Sequence, residues 1–90
     1  MQWTTRFDTV FLKDLKKLDK GTAKRILRYI SDIESLDDPR ARGKALTGNL
    51  VGFWRYRVGD YRVIVEIQDN QLVILALKAA HRSEAYRWKP

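Results

Sequence analysis

Apolar residues recur at helical spacing in the first part of the chain and alternate with polar residues in the second part. The segment Gln2–Phe7 predicts a short first strand. From Asp8 or Thr9, either of which can cap a helix, a helix is expected to run to about Asp19. Its apolar stripe, with spacings of three and four, consists of Phe11, Leu12, Leu15 and Leu18, a pattern typical of an amphipathic helix. The pair Lys20-Gly21 is expected to end this helix, because glycine readily adopts the left-handed conformation found at helix ends.

A second apolar stripe predicts a second helix with Thr22 as its N-cap. The stripe consists of Ala23, Ile26, Leu27, Ile30, Ile33 and Leu36. Asp38-Pro39 should end this helix, since the residue before proline avoids helical geometry. The short connection makes the two helices an antiparallel hairpin. The segment from Arg40 to Gly52 holds three basic residues and three glycines and is expected to be a loop.

From Phe53 the period of the pattern changes to two, which predicts strands over Phe53–Val58, Tyr61–Gln68 and Leu72–Lys78. Gly59-Asp60 is the two-residue signal of a tight hairpin. The last strand is apolar on both faces, so we expect it inside the sheet, beside the N-terminal strand. The prediction is one small α+β domain over residues 1–90: an N-terminal strand, a helical hairpin packed on one sheet face, and a three-stranded antiparallel meander.

The two-residue turn fixes the register of the predicted hairpin and gathers arginines on one face. Arg57 should lie directly opposite Arg62, with Arg55 on the same face. Opposed like charges destabilise a sheet unless an anion lies near them, and guanidinium groups match phosphate oxygens. The three arginines are therefore interpreted as a phosphate-binding triplet. The alternative is an ordinary charged face balanced by Glu66 and solvent.

That face is not wholly polar, so part of it should be covered by the C-terminal tail, the basic loop or a partner. The opposite face should lie under the helices and is apolar. It consists of Trp54, Tyr56, Val58, Tyr61, Val63 and Val65.

Composition narrows the classes of function. Eighteen Lys and Arg against eleven Asp and Glu give a net charge of +7, which favours a polyanionic partner, either nucleic acid or an acidic protein. The absence of cysteine and the single histidine exclude a thiol nucleophile and a Cys-ligated or multi-histidine metal site, and no cofactor is expected. The chain has neither a membrane-spanning apolar stretch nor a signal peptide, so a soluble cytoplasmic protein is predicted.

One enzymatic mechanism remains for acting on a polyanion. Scattered acidic residues give no two-carboxylate site, which leaves metal-free phosphodiester cleavage by an RNA 2′-hydroxyl, assisted by arginines and a proton-transferring side chain. His81 follows the last predicted strand, and histidine is the commonest general acid or base. Tyr86 lies close enough in the chain for a turn to return its hydroxyl to the same site. The alternative for His81 is a merely exposed or hydrogen-bonded side chain.

Three segments resemble the RelE/ParE superfamily of bacterial toxins. They are Lys44–Gly48, Gly52–Ile64, and His81-Arg82 followed by Tyr86. Trp54–Arg62 is the most specific part, and the similarity covers essentially the whole chain. The resemblance implies the toxin of a type II toxin–antitoxin pair that cuts mRNA in the ribosomal A site. It also implies a cognate antitoxin that wraps the toxin through acidic and apolar contacts and carries the DNA-binding domain.

The resemblance also implies roles for individual residues. Arg62 matches the arginine that stabilises the transition state, and Tyr86 matches a tyrosine acting as base or stacking platform. His81 falls where other branches place a catalytic histidine, and Arg57 would hold the scissile phosphate with Arg62. The predicted RNA-backbone contacts are Arg55, Lys44, Arg82 and Lys78.

Two positions depart from the best-known RelE branch. Phe53 stands where that branch has lysine, and Ala80 where it has arginine, so His81 is expected to take part in proton transfer. Two other functions remain open: a ParE-like poison of DNA gyrase without nuclease activity, and a non-catalytic module whose basic face only docks an acidic antitoxin segment.

Overall fold

All strands of the protein belong to one mixed sheet. The structure, a computed structural model, describes residues 2–90. The strands are β1 (Thr4–Phe7), β2 (Lys44–Ala45), β3 (Trp54–Val58), β4 (Tyr61–Gln68) and β5 (Val73–His81). Their order in the sheet is β1-β5-β4-β3-β2, with β1 parallel to β5 and the other pairs antiparallel. The predicted α+β layout and the interior position of the last long strand are confirmed.

The β3–β4 hairpin has the predicted register. Val58 pairs with Tyr61 and Arg57 pairs with Arg62. Gly59 has a φ of 59°, while Asp60 has a negative φ, the pattern of a type II′ turn with glycine at its first central position. This turn follows the right-handed twist of the two strands and thereby holds the arginines in register.

The two helices are α1 (Thr9–Lys17) and α2 (Lys20–Glu34), and their boundary differs from the prediction. Asp19, not Thr22, is the N-cap of α2: its carboxylate accepts hydrogen bonds from the backbone N–H of Thr22 at 3.1 Å and from the Thr22 hydroxyl at 2.6 Å. These bonds lower the pKa of Asp19. Gly21 therefore lies in the first turn of α2 instead of ending α1, because the Asp19 cap begins a new helix before a left-handed glycine is needed.

The core lies between the helices and the predicted apolar face of the sheet. Phe11 of α1 and Ile26, Ile30 and Ile33 of α2 are buried against the sheet. The strands contribute Tyr56, Val58, Val63, Val65, Ile74, Ala76 and Ala79. The hydroxyl of Tyr56 donates to the carbonyl oxygen of Pro39 at 2.8 Å, and burial raises the pKa of this phenol. Leu12 and Leu27, predicted to lie in the apolar stripes, are 44% and 40% exposed.

The predicted loop before β3 contains a short strand. Lys44 pairs with Arg55 and Ala45 pairs with Trp54, so β2 adds an edge to the sheet. Two residues are too few to show an alternating pattern, which is why the sequence did not predict this strand.

The other face of the sheet is partly covered, as expected, by the basic loop and the C-terminal tail. Ile64 of β4 is fully buried outside the main core, and Leu50 and Ala85 are buried too. The rings of Phe53 and Trp88 pack edge to face at 5.4 Å, and the 3-10 turn Ala85–Arg87 packs on β4 and β5. Within residues 2–90, neither helix is both long and apolar enough to span a bilayer.

Candidate functional site

A wide cleft lies on the face of the sheet away from the helices, and three predicted site residues meet in it. Lys44, Arg55 and Tyr86 line an open cavity of about 560 Å³. The β2–β3 pairing sets Lys44 beside Arg55. Tyr86 comes from the 3-10 turn at the C-terminus, which is anchored by the buried side chain of Ala85. We call this cavity the main cleft.

The far wall of the main cleft is the loop that follows β2. Its lining residues are Leu46, Thr47, Asn49 and Leu50, next to Ala45 at the end of β2. The buried side chain of Leu50 fixes this loop to the domain, and Gly48 turns the chain there with a φ of 62°. The sequence pattern did not indicate that Thr47 and Asn49 would add polar groups to the site, because their position follows from the unpredicted strand β2.

The main cleft is suited to an anion. Its lining includes two cationic side chains, Lys44 and Arg55, and no carboxylate. Neither cation forms an ion pair within residues 2–90. Tyr86 is 48% exposed, so its ring offers a stacking surface and its hydroxyl a proton. The cleft can therefore bind a phosphate and place a phenol beside it.

Arg62 lies on the same face of the sheet as Arg55 but is buried and held by backbone. Its Nη1 donates to the carbonyl oxygens of Gly59 at 3.1 Å and Tyr61 at 2.9 Å. Among residues 2–90, Thr5 Oγ1 is the one buried side-chain polar atom without a hydrogen-bond partner. The Nε and Nη2 atoms of Arg62, which have no partner, therefore reach solvent. Arg62 is thus a guanidinium held in one orientation by the turn, with only a small part of the residue at the surface.

Arg57, the partner of Arg62 in the hairpin, points toward a different cavity. It is exposed and lines a cleft with Arg25 and Arg28 of α2. The predicted register of the three arginines is therefore confirmed, but their side chains do not form one cluster. Arg55 belongs to the main cleft, Arg62 to the hairpin turn and Arg57 to the cleft beside α2.

His81 is the last residue of β5 rather than following it, and it lies away from the main cleft. It pairs with Tyr61, and their rings meet edge to face at 5.7 Å. Its Nδ1 accepts a hydrogen bond from the backbone N–H of Ser83 at 3.2 Å. His81 lines a cleft beside α1 with Glu84, whereas Tyr86 lines the main cleft. The expectation that a turn would return the Tyr86 hydroxyl to the His81 site is wrong.

Lys78 and Arg82, the other two predicted RNA contacts, do not line the main cleft. Lys78 donates from Nζ to Asp14 Oδ1 at 3.0 Å, and Asp14 Oδ2 accepts from the backbone N–H of Ala79 at 3.0 Å. The ammonium of Lys78 is thus engaged in holding α1 to β5. The side chain of Arg82 is exposed, while its backbone N–H donates to the carbonyl oxygen of Asp60 at 2.8 Å.

Residues 2–90 contain no group of three His, Asp or Glu side chains that could hold a metal ion. The main cleft offers two cationic side chains, Lys44 and Arg55, and the hydroxyl groups of Thr47 and Tyr86.

Comparison with known proteins identifies the family. The model of the family described as the ParE toxin of the type II toxin–antitoxin system parDE matches residues 5–86. Toxin RelG of Mycobacterium tuberculosis is 31% identical over 88 residues, which are 97% of this chain and 99% of that protein.

Solved structures with a similar fold include two toxin–antitoxin complexes. The toxin–antitoxin complex RelBE2 from M. tuberculosis contains a chain with a TM-score of 0.71 and 32% identity, which covers 91% of this chain and 100% of that one. The archaeal RelE–RelB complex from Pyrococcus horikoshii has a TM-score of 0.72 and 30% identity, over 94% and 100% of the two chains. The protein therefore belongs to the ParE toxin family and is a RelE/ParE-type toxin of a type II toxin–antitoxin system.

Proposed function

We propose that this toxin is a metal-independent endoribonuclease that cleaves mRNA in the ribosomal A site. The observation that carries the proposal is the main cleft, where Lys44, Arg55 and Tyr86 converge without a carboxylate among the lining residues. A site that binds a phosphodiester needs positive charge and hydrogen-bond donors, and a nearby carboxylate would repel the phosphate. The similarity to RelG and to RelE chains supports the same reading.

The reaction that fits these residues is an internal transesterification. The 2′-oxygen attacks the adjacent phosphorus, the bond from phosphorus to the 5′-oxygen breaks, and the products are a 2′,3′-cyclic phosphate and a 5′-hydroxyl. Arg55 and Lys44 would bind the non-bridging oxygens. Arg62 lies outside the lining of the main cleft but on the same sheet face as Arg55. Already fixed by two carbonyl groups, it would donate to the charge that develops in the transition state without having to reorganise.

Two protons must move in this reaction. The attacking 2′-hydroxyl gives one to solvent water, which enters the open main cleft, and the departing 5′-oxygen gains one. Tyr86 is the titratable hydroxyl inside the main cleft, so we assign it the proton delivered to the 5′-oxygen, with its ring stacking on a base. His81 lines another cleft and would take part only through RNA that extends around the end of β5, where Arg82 would also meet the backbone.

A cognate antitoxin is part of the proposal. The solved relatives are complexes with RelB, and this chain exposes apolar side chains that a partner would cover. They are Phe7, Val10, Leu12 and Leu27. A wrapping antitoxin with apolar and acidic side chains suits both these residues and the net charge of +7. DNA would be contacted only indirectly, through the antitoxin.

The second candidate is poisoning of DNA gyrase, because the matching family model is that of ParE. This function would use the toxin as a protein ligand with no chemistry of its own. A protein ligand of this kind would need neither the carboxylate-free main cleft nor the fixed guanidinium of Arg62.

Induction of the toxin without its antitoxin, followed by primer extension on cellular mRNA, separates these functions. Wild type would be compared with Arg55→Gln, Tyr86→Phe and His81→Ala. Arg6→Gln serves as the matched control, because Arg6 is exposed on β1 at the far edge of the sheet. We expect codon-phased 5′ ends with wild type and with the control, and their loss with Arg55→Gln. Growth arrest with intact mRNA would contradict the proposal and lead to a gyrase supercoiling assay.

A further inference from the structure

A second basic cleft lies between α2 and the β3–β4 hairpin. Arg25 and Arg28 of α2 and Arg57 of β3 line it, in a volume of about 320 Å³. Tyr29, Val58 and Gly59 form the remaining wall, and Asp32 is the only acidic residue there. We call it the α2 cleft.

The fold brings these three arginines together in two ways. Arg25 and Arg28 are three residues apart on α2 and so lie on one helix face. β2 pairs with β3 only as far as Arg55, so the edge of β3 at Arg57 is not covered by another strand. The guanidinium of Arg25 lies on the turn: a Cβ added to Gly59 would come within 3.1 Å of its Nη2.

The arginines of the α2 cleft have no ionic partners. The ion pairs among residues 2–90 involve Arg40 and Lys78, and none of them involves Arg25, Arg28 or Arg57. Gathering three guanidinium groups around one acidic side chain costs electrostatic free energy unless an anion binds there.

The positive surface continues along α2. Lys20, Lys24 and Arg28 are each four residues apart and exposed, so they form one stripe that spans about 12 Å at 1.5 Å per residue. A stripe of this length that ends in an arginine cleft matches an extended polyanion better than a single small anion.

We infer that the α2 cleft and this stripe form a second RNA-binding site, which holds the phosphate backbone of a structured RNA separate from the strand in the main cleft. The inference rests on the proposed function in that it takes RNA as the partner. Arg55 and Arg57 lie two residues apart on β3, so this strand connects the two sites. An acidic peptide suits the α2 cleft less well, because only Tyr29 and Val58 offer apolar contact and Val58 is buried, whereas a docked peptide needs apolar anchors.

The test is binding of a fluorescein-labelled RNA hairpin to the purified toxin, followed by anisotropy over a series of salt concentrations. The double variant Arg25→Gln with Arg28→Gln removes two charges from the α2 cleft. The double variant Lys13→Gln with Lys16→Gln removes two exposed charges from α1 and is the matched control. Each lost phosphate contact lowers the slope of log affinity against log salt by about 0.7 to 0.9. We therefore expect affinity to fall less steeply with salt for the α2-cleft variant, with the magnitude of the slope smaller by about 1.4 to 1.8. The control should leave the slope unchanged.

Equal slopes for the α2-cleft variant and the control would overturn the inference. Unchanged RNA binding with weakened binding of the antitoxin would also overturn it and assign the cleft to the antitoxin. If the double variant does not fold, Arg28→Gln alone still tests the site, with an expected fall of about 0.7 to 0.9. The measurement needs no cleavage, so a toxin that binds through the α2 cleft but does not cut mRNA would contradict the proposed nuclease and leave this site standing.

Discussion

Arg57 lies directly opposite Arg62 across the β3–β4 hairpin, yet only Arg62 is buried. Arg62 donates to two carbonyl groups at the turn, whereas Arg57 makes no ion pair within residues 2–90. Two identical side chains that are paired across the hairpin thus have different surroundings. Arg62 is part of the turn and is held there by its hydrogen bonds, and Arg57 contributes positive charge to the α2 cleft.

This asymmetry predicts unequal effects of two alanine substitutions on the free energy of unfolding. Arg62→Ala should lower the free energy of unfolding by about 1 to 3 kcal/mol, because the Gly59 and Tyr61 carbonyls lose their donor and the buried stem leaves a void. Arg57→Ala should change it by less than about 0.5 kcal/mol, since an exposed side chain is removed and a like-charge pair is relieved. Urea unfolding of the two variants measures both values, and a larger loss for Arg57→Ala would contradict the assignment.

A second prediction concerns the contact between α1 and β5. Asp14→Ala should cost about 1 to 3 kcal/mol, because the buried N–H of Ala79 and the ammonium of Lys78 both lose their acceptor. Asp14→Asn keeps one carbonyl acceptor and should cost less. Thermal unfolding of the two variants measures the difference, and equal losses would show that the carboxylate acts only through its charge.

The hairpin register could be read from the sequence because a two-residue turn leaves no freedom in the pairing that follows. The prediction that Arg57 lies opposite Arg62 is therefore confirmed. The side-chain directions did not follow from it, because Arg62 bonds to its own turn and Arg57 leans toward a helix whose position is set by the core.

The position of His81 could not be read from the sequence for a different reason. Ile64 pairs with Lys78, but the next residue of β4, Val65, pairs with Ala76, so Leu77 is an extra residue in β5. Such a bulge reverses the alternation of side chains beyond it. It places Ala79 on the helix side with Ala76 and carries His81 to that side, away from the main cleft.

The contact between Asp14 and Lys78 could not be predicted from the sequence either, since it joins residues 64 apart in the chain. Lys78 reads in the sequence as one more basic residue near a strand end. Only the docking of α1 against the part of β5 beyond its pairing with β1 shows that the ammonium of Lys78 is already paired with Asp14.

A third prediction concerns the dependence of stability on pH. Asp69 accepts a hydrogen bond from Arg40 at 2.9 Å, and this bond lowers the pKa of Asp69 below its ordinary value. A carboxylate with a lowered pKa in the folded state adds stability above its unfolded pKa, about 3.9, and that stability is lost as the pH falls through the folded value. Wild type should therefore exceed Asp69→Asn in stability by a constant amount above about pH 5, and the gap should close below about pH 4. Urea unfolding at a series of pH values measures the gap, and a gap that persists at pH 2 would refute the ionic origin of the contact.

The last prediction separates the two roles open to Tyr86. If its hydroxyl delivers a proton to the 5′-oxygen, Tyr86→Phe should reduce the rate of mRNA cleavage by about 10² to 10⁴-fold, since that is the usual contribution of a positioned acid. A ring that only stacks on a base would tolerate Tyr86→Phe, and only Tyr86→Ala would lose the stacking free energy of about 1 to 3 kcal/mol. Because Tyr86 lies in the main cleft and His81 does not, we expect Tyr86→Phe to abolish most cleavage and His81→Ala to change it by a few fold at most. Single-turnover cleavage of ribosome-bound mRNA gives both rates. Full activity of Tyr86→Phe together with loss of activity in His81→Ala would move the acid from the main cleft to the end of β5.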